Sequence, residues 1–363
     1  MLHGGDIYSI YADKQVAPGA LIDFSANISP LGIPDGVRQA IMNELDNARH
    51  YPDPNYRRLR AAIAGQWAGI GGDADRCGLR PEMICCGNGA ADVIYRLVLA
   101  RRPRRALIPA PTFVEYEEAL QLAGTEVAVY DCPRETLGVA ADILEAIKPG
   151  LDMMFLCNPN NPTGLMTDEG LMDAIIHKTR ACGVFLVVDE CFLDFCEDED
   201  LKTVVRKLSQ NKHILVLKSF TKMYAIPGIR LGYGICADLA LIDRMVHCGQ
   251  SWPVSTTAES AGIAALSEHD YKTRVRGYIR QERDFLESGF DRLGITYFKS
   301  QANYMLIRVD GPINLYERLL AQGILIRRCA NYRNLDGSYY RVAVNAHEDN
   351  VRLLDALHHV LKH

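Results

Sequence analysis

The chain has 363 residues, with 40 Lys and Arg against 45 Asp and Glu, a formal net charge of −5 and a hydrophobic fraction of 48%. That length holds about two domains, and that composition describes a folded protein rather than a disordered or fibrous one. The acidic balance offers no basic stripe for nucleic acid, and no apolar run reaches the roughly 20 residues that span a bilayer, so neither is an expected partner. The opening MLHGGDIYSIYADK lacks the basic-then-apolar order of a secretory signal. The 11 cysteines sit mostly in apolar runs without zinc-like or paired spacing, so the expected setting is reducing and cytoplasmic, with no metal.

Between residues 80 and 236 short apolar runs alternate with longer amphipathic stretches. The runs are MICC (83–86), RALIP (105–109), EVAVY (126–130), DMMFLC (152–157), VFLVV (184–188), HILVLK (213–218) and LGYGIC (231–236). Each is bounded by Gly, Pro, Asn or Asp, which marks strands, and the stretches between them carry helical spacing, as Val93, Leu97 and Ala100 do. The pattern predicts an α/β domain with a mainly parallel sheet. The connection SFTKMYAIPGIR before the last run is too short for a comfortable helical crossover, so that strand could be antiparallel. Beyond Trp252 a long helical stretch is expected from Thr256 towards Leu293. Strand-like ANYMLIRV (302–309), a helix near Leu315–Gln322, strand-like ILIRR (324–328) and YYRVAV (339–344), and a closing helix follow, which reads as a smaller α+β domain.

Unusual residues gather where strands end, the edge at which parallel α/β sheets bind ligands. After the first run comes Gly87-Asn88-Gly89-Ala90-Ala91 and then a helix, a turn whose amides can meet a phosphate, although alone it reads as a plain tight turn. After DMMFLC comes Asn158-Pro159-Asn160-Asn161-Pro162-Thr163-Gly164, an irregular loop that can aim an Asn amide. Asp189-Glu190 closes an apolar strand, where an acid is costly unless it meets a donor or cation, or caps a helix. Ser219-Phe220-Thr221-Lys222 follows HILVLK, with Arg230 shortly after. Lys222 reads either as a desolvated nucleophilic amine or as a surface lysine.

Together these residues resemble the fold-type I pyridoxal-phosphate enzymes of the aminotransferase class I/II group, most specifically in NPNNPTG, the strand-ending Asp189-Glu190 and SFTKMYAIPGIRLGY. The resemblance implies a large domain with a mainly parallel seven-stranded sheet and a smaller α+β domain, divided as 1–45 (a segment serving the small domain and the active site), 46–255 and 256–363. It implies that Lys222 binds pyridoxal 5'-phosphate covalently and that Asp189 pairs with the ring nitrogen. Asn161 would bond the ring O3' oxygen, and Phe113 would stack on the ring. The cofactor phosphate would rest on the Ala90 and Ala91 amides, Ser219 and Arg230. Tyr51 would reach in from a second subunit, so the expected partner is another copy of the chain in a homodimer with shared sites. Arg341 falls where this group holds the substrate carboxylate, although a lone arginine there could equally form a surface salt bridge.

Within the group the chain is similar to two families, threonine-phosphate decarboxylases of cobalamin biosynthesis and histidinol-phosphate aminotransferases. Four features lean to the decarboxylases: His3-Gly4-Gly5, FSANISPLG (24–32), Phe192 where the aminotransferases usually carry Tyr, and ILIRRCANYRNLDGSYYRVAV (324–344). Asp6 departs from the Asn usual in that family. The leaning implies a small phosphorylated amino-acid substrate, with Arg341 and Asn27 at its carboxylate and Arg327 and His3 at its phosphate. An aminotransferase with the same cofactor site is the alternative. A transcriptional regulator built on the same fold would need a separate DNA-binding module, for which a pattern starting at His3 leaves no room.

Overall fold

The computed structural model describes residues 4–14, 19–68 and 78–362. Seven strands form the main sheet: β1 (Ile84–Gly87), β2 (Arg105–Ala110), β3 (Glu126–Asp131), β4 (Met153–Cys157), β5 (Phe185–Asp189), β6 (Ile214–Ser219) and β7 (Gly232–Cys236). Their spatial order is β1-β7-β6-β5-β4-β2-β3. Strands β2 to β6 run parallel. Strand β7 is antiparallel to both its neighbours, as its short connection from β6 anticipates, since only turns at 221–225 and Pro227–Ile229 intervene. Every residue of β4, β5 and β6 is buried, which is why these runs are continuously apolar instead of alternating. The edge strand β3 is only partly covered and carries Glu126 and Asp131 exposed at its ends, which blunts an otherwise open edge.

A smaller antiparallel sheet is ordered Arg327–Arg328, Tyr339–Ala343, Tyr304–Arg308, Thr296–Tyr297. Helices His269–Leu293 and His347–Lys362 pack together beside it. The run 324–328, expected as one strand, divides between two sheets: Ile324–Leu325 pairs in parallel with Ile22–Asp23, while Arg327–Arg328 pairs with Tyr339–Ala343. The amino-terminal segment is thereby sewn to the small domain, and Phe24 extends the seam by accepting from the Ala343 amide at 2.8 Å.

The helical stretch from Thr256 to Leu293 is two helices, Thr256–Ala265 and His269–Leu293. The amides of Ser267 and Glu268 turn back to the carbonyls three residues earlier, which tightens and ends the first helix. The first helix packs on Asp35–Glu44 and the second on the closing helix, so the break lets one stretch serve two layers. Most of the described cysteines are buried, with Cys182 half-buried and Cys248 exposed. Among the described residues no helix is long and apolar enough to cross a membrane.

Candidate active site

The carboxyl ends of β1, β2, β4, β5 and β6 converge on one cleft of about 170 Å³. Its wall includes Ala90 and Ala91 after β1, Phe113 after β2, Asn161 after β4, Asp189 closing β5, Lys222 after β6 and Arg230 before β7. Seven of the residues singled out in the sequence thus meet in one place.

At one end the helix Gly89–Arg101 opens onto the cleft. Its first-turn amides have no partners within the helix, and its dipole favours an anion. Gly89 has φ +83°, and a Cβ there would stand 2.5 Å from the Arg230 guanidinium. Gly232 is equally required, because a Cβ would lie 2.4 Å from the Ala90 nitrogen. Two glycines therefore let Arg230 and the start of β7 press against the helix N-terminus, and a guanidinium and a helix dipole converge on the same point.

In the middle lie Asp189 and Lys222. Asp189 is buried, its Oδ2 accepting from the Tyr116 hydroxyl at 2.5 Å and its Oδ1 from the Cys191 amide at 2.9 Å. Burial and the Asp189 charge push the Tyr116 phenol well above its ordinary pKa, so it remains a proton donor to the carboxylate. Burial lowers the pKa of the Lys222 amine; Arg230 and Arg341 act in the same direction, against Cys191 and Asp189. A lysine so placed is a better nucleophile at neutral pH than an exposed one. Its Nζ lies 5.9 Å from the centre of the Phe192 ring. Burial also raises the Cys157 and Cys191 thiols, which line the cleft as neutral groups.

Asn161 joins this floor to the small domain. Its Oδ1 accepts from Arg341 Nη1 at 2.6 Å, which commits the amide NH₂ as the end it can offer a ligand. Arg341 also donates to the Ser25 carbonyl at 2.8 Å, so its hydrogen-bond acceptors are two neutral oxygens. It is buried, and so is Arg327, which stands directly opposite it on the adjacent antiparallel strand. Residues so opposed project from the same face of a sheet. Each guanidinium lies over a tyrosine ring, Arg341 at 5.4 Å from Tyr304 and Arg327 at 5.4 Å from Tyr332.

Other expected residues lie elsewhere. Ser219 stands behind the cleft wall, its hydroxyl 2.8 Å from that of Thr221, and Thr221 lines the cleft. Asn27 is buried, and its Oδ1 lacks a hydrogen-bond partner. Two residues on, the Ser29 amide donates to the Lys222 carbonyl at 3.0 Å, so this segment reaches the site through its backbone. Tyr51 is exposed and stacked on Trp252, away from its own chain's cleft wall. His3 lies outside the described residues. Tyr116, Thr221 and the two thiols are absent from the sequence-based expectations. Tyr116 carried one usable signal, an aromatic one helical step beyond Phe113.

A family model described as aminotransferase class I and II matches residues 20–360. The chain is 39% identical to the threonine-phosphate decarboxylase of Salmonella typhimurium, over 99% of this chain and 96% of that protein. Its structure is similar to the histidinol-phosphate aminotransferase from Clostridium acetobutylicum, with a TM-score of 0.85 at 29% identity, covering 94% of this chain and 99% of that one. It is similar as well to the L-threonine-O-3-phosphate decarboxylase from Porphyromonas gingivalis, with a TM-score of 0.80 at 26% identity over 94% and 99% of the two chains.

Proposed function

The chain belongs to the aminotransferase class I and II family, and from that membership we propose that it decarboxylates L-threonine O-3-phosphate to (R)-1-amino-2-propanol O-2-phosphate and CO₂, a step serving cobalamin biosynthesis. Its fold is the fold-type I pyridoxal-phosphate transferase fold, and it is an enzyme of that class. What membership leaves open is which bond of the substrate breaks.

The residues present fit pyridoxal 5'-phosphate. A carboxylate closes β5, a lysine with a lowered pKa faces it, and an arginine pressed onto a helix N-terminus suits a phosphate. Lys222 would hold the cofactor covalently, Asp189 its ring nitrogen and Asn161 its O3' oxygen. Ala90, Ala91 and Arg230 would hold its phosphate, with Ser219 supporting Thr221 from behind. When bound, the cofactor supplies an electron sink for whichever Cα bond is held perpendicular to its ring.

The chain's own contribution is to choose that bond by orientation. Arg341, fixed by Asn161 and the Ser25 carbonyl, is placed for a carboxylate, and Asn27 lies in the same amino-terminal segment. Arg327, and His3 with it, would take the distal phosphate. The observation that carries this reading is the register that sets Arg327 opposite Arg341. Two guanidinium groups projecting from one face of the sheet suit a substrate with two anionic groups at once. Threonine phosphate has both a carboxylate and a phosphate; histidinol phosphate has no carboxylate, although the glutamate of an aminotransfer has two.

Aminotransfer to or from a phosphorylated amino compound is the second reading, favoured by the higher TM-score with the histidinol-phosphate aminotransferase. Incubation with threonine phosphate and no keto acid separates the two. CO₂ release is expected. Its absence, with a half-reaction on glutamate or histidinol phosphate instead, would overturn decarboxylation. The exposed Tyr51–Trp252 stack supports a homodimer in which Tyr51 serves the neighbouring subunit's site. A strictly monomeric active species in sedimentation would refute that role.

A further inference from the structure

The small domain touches the rim of the large sheet through the hairpin loop between Arg328 and Tyr339. Asn334, in this loop, uses both amide hydrogens, donating to the Ala110 carbonyl at 3.1 Å and the Cys132 carbonyl at 2.8 Å. These carbonyls belong to the last residue of β2 and the residue just past β3, which are themselves joined by the Cys132 amide to Ala110. Asn334 has φ +66°, in the left-handed region that Asn tolerates better than most residues. Beside it Arg333 pairs with Glu117, and Leu335 packs against a buried cluster of Leu137, Leu306, Cys329, Tyr332 and Tyr339.

The same loop holds Arg327. Asn331 Oδ1 accepts from Arg327 Nη2 at 2.8 Å, and Tyr332 supplies the ring beneath its guanidinium. On the other side of the anchor, Ala110 leads through Pro111 and Thr112 to Phe113 in the cleft wall. That turn is tied to Asn160, which donates to the Pro111 carbonyl at 2.9 Å and accepts from Thr112 at 3.0 Å. The next residue, Asn161, accepts from Arg341. The contacts close a ring: Arg341 to Asn161, Asn160 to the end of β2, Asn334 to the loop, the loop to Arg327, and Arg327 back to Arg341 across two strands.

We propose that Asn334 is a positioning residue that pins this loop to the sheet, so that Arg327 stands at a fixed distance from the cleft as the receptor of a substrate phosphate. The proposal rests on the site reading above, and deepens it by assigning phosphate selectivity to a residue that does not touch the substrate. The two neighbours of Asn334 do not replace it. The Arg333–Glu117 pair is largely exposed on the arginine side and so contributes little, and Leu335 gives packing without direction.

The test uses the cofactor-loaded enzyme with Asn334→Gly, which removes the amide while leaving the left-handed backbone unstrained. KM for threonine phosphate is expected to rise roughly ten- to a hundredfold, as for a misplaced binding group, with kcat and the cofactor absorbance kept. The inhibition constant of L-threonine, which has no phosphate, is expected to stay within about threefold, since its affinity does not draw on Arg327. Hydrogen exchange at the Tyr332 and Leu335 amides should accelerate. Asn334→Asp keeps the side-chain volume but turns an acceptor towards two carbonyls, and it must shift the same ratio in the same direction. Equal loss for both ligands, a fall in kcat with KM unmoved, or no change for threonine phosphate would overturn the proposal. If the parent enzyme releases no CO₂, the proposed reaction fails by itself. The comparison then runs on histidinol phosphate against histidinol, and the phosphate-dependent ratio still judges Asn334.

Discussion

Lys218 and Lys222 lie one helical turn apart in sequence and meet opposite fates. Lys218, inside β6, is ringed by Asp194 at 2.7 Å, Glu199 at 2.9 Å and Glu190 at 3.9 Å. Glu199 also binds Lys272 and Arg276 on the helix His269–Leu293, so three acids face three bases and tie the small domain to the main sheet. Burial alone would lower the Lys218 pKa, but the surrounding carboxylates raise it well above normal and hold the ammonium charged. Lys222, just past the end of the same strand, is lowered by burial and by Arg230 and Arg341, which the single carboxylate of Asp189 does not offset. The difference lies in compensation. A self-neutralised cluster binds elements of the protein to one another, and an under-compensated cationic site is free to bind something else.

The two lysines should therefore fail in different ways. Lys222→Ala gives the largest effect: loss of covalently held cofactor and its visible absorbance, with turnover reduced to background and a melting temperature close to the parent's. A variant that kept the absorbance would place the reactive amine elsewhere. Lys218→Met should do the reverse. Removing one member of a buried ionic set costs about 3–5 kcal/mol, which for a chain of this size lowers Tm by roughly 5 °C, while molecules that remain folded keep the cofactor spectrum. An unchanged melting temperature would show that the cluster does not hold the domains together.

The same contrast governs what was legible in the sequence. Lys222, Asp189, Asn161 and Arg230 were readable because each marks a strand end, and strands announce themselves by short apolar runs bounded by turn residues. Lys218 was not, because a lysine at the end of HILVLK looks like the point where a strand meets solvent; its acids come from residues 190–199, beyond a different strand. The opposition of Arg327 and Arg341 needed a strand register that neither segment specifies alone. Thr221 on the cleft wall was not legible, because the direction of a side chain past a strand end follows from local backbone turns, not from alternation. The seven-stranded sheet and its antiparallel member were visible from run lengths and one short connection. The break between Ala265 and His269 was not, because both halves keep helical spacing.

Tyr116 tests the catalytic side at a finer scale. Tyr116→Phe removes the hydroxyl that donates to Asp189 Oδ2 and keeps the ring stacked on Phe155. A hydrogen bond to a charged group contributes about 1.5–3 kcal/mol, so kcat should fall roughly ten- to a hundredfold if Asp189 must be held in one orientation. Full activity would mean that the Cys191 amide alone suffices to orient it.

The smallest effect comes from Glu190, which adjoins Asp189 in sequence but faces the structural cluster. Its carboxylate accepts from Thr203 Oγ1 at 2.6 Å and the Val204 amide at 2.7 Å. Burial raises its pKa to about 7 from an ordinary 4.5, against the opposing pull of Lys218 and these two donors. Between those values the folded protein binds more protons at this site than the unfolded chain does, so this carboxyl's contribution to stability falls as pH rises from about 4.5 to 7. Glu190→Gln removes the titration. The Tm of the variant relative to the parent should therefore be higher at pH 8 than at pH 5, by about 1–2 °C for each kcal/mol involved. A difference that is flat with pH, or that grows towards acid, would mean that Glu190 stays ionised in the fold. The Lys218 cluster would then be fully charged, and its separation from the cleft would rest on geometry alone.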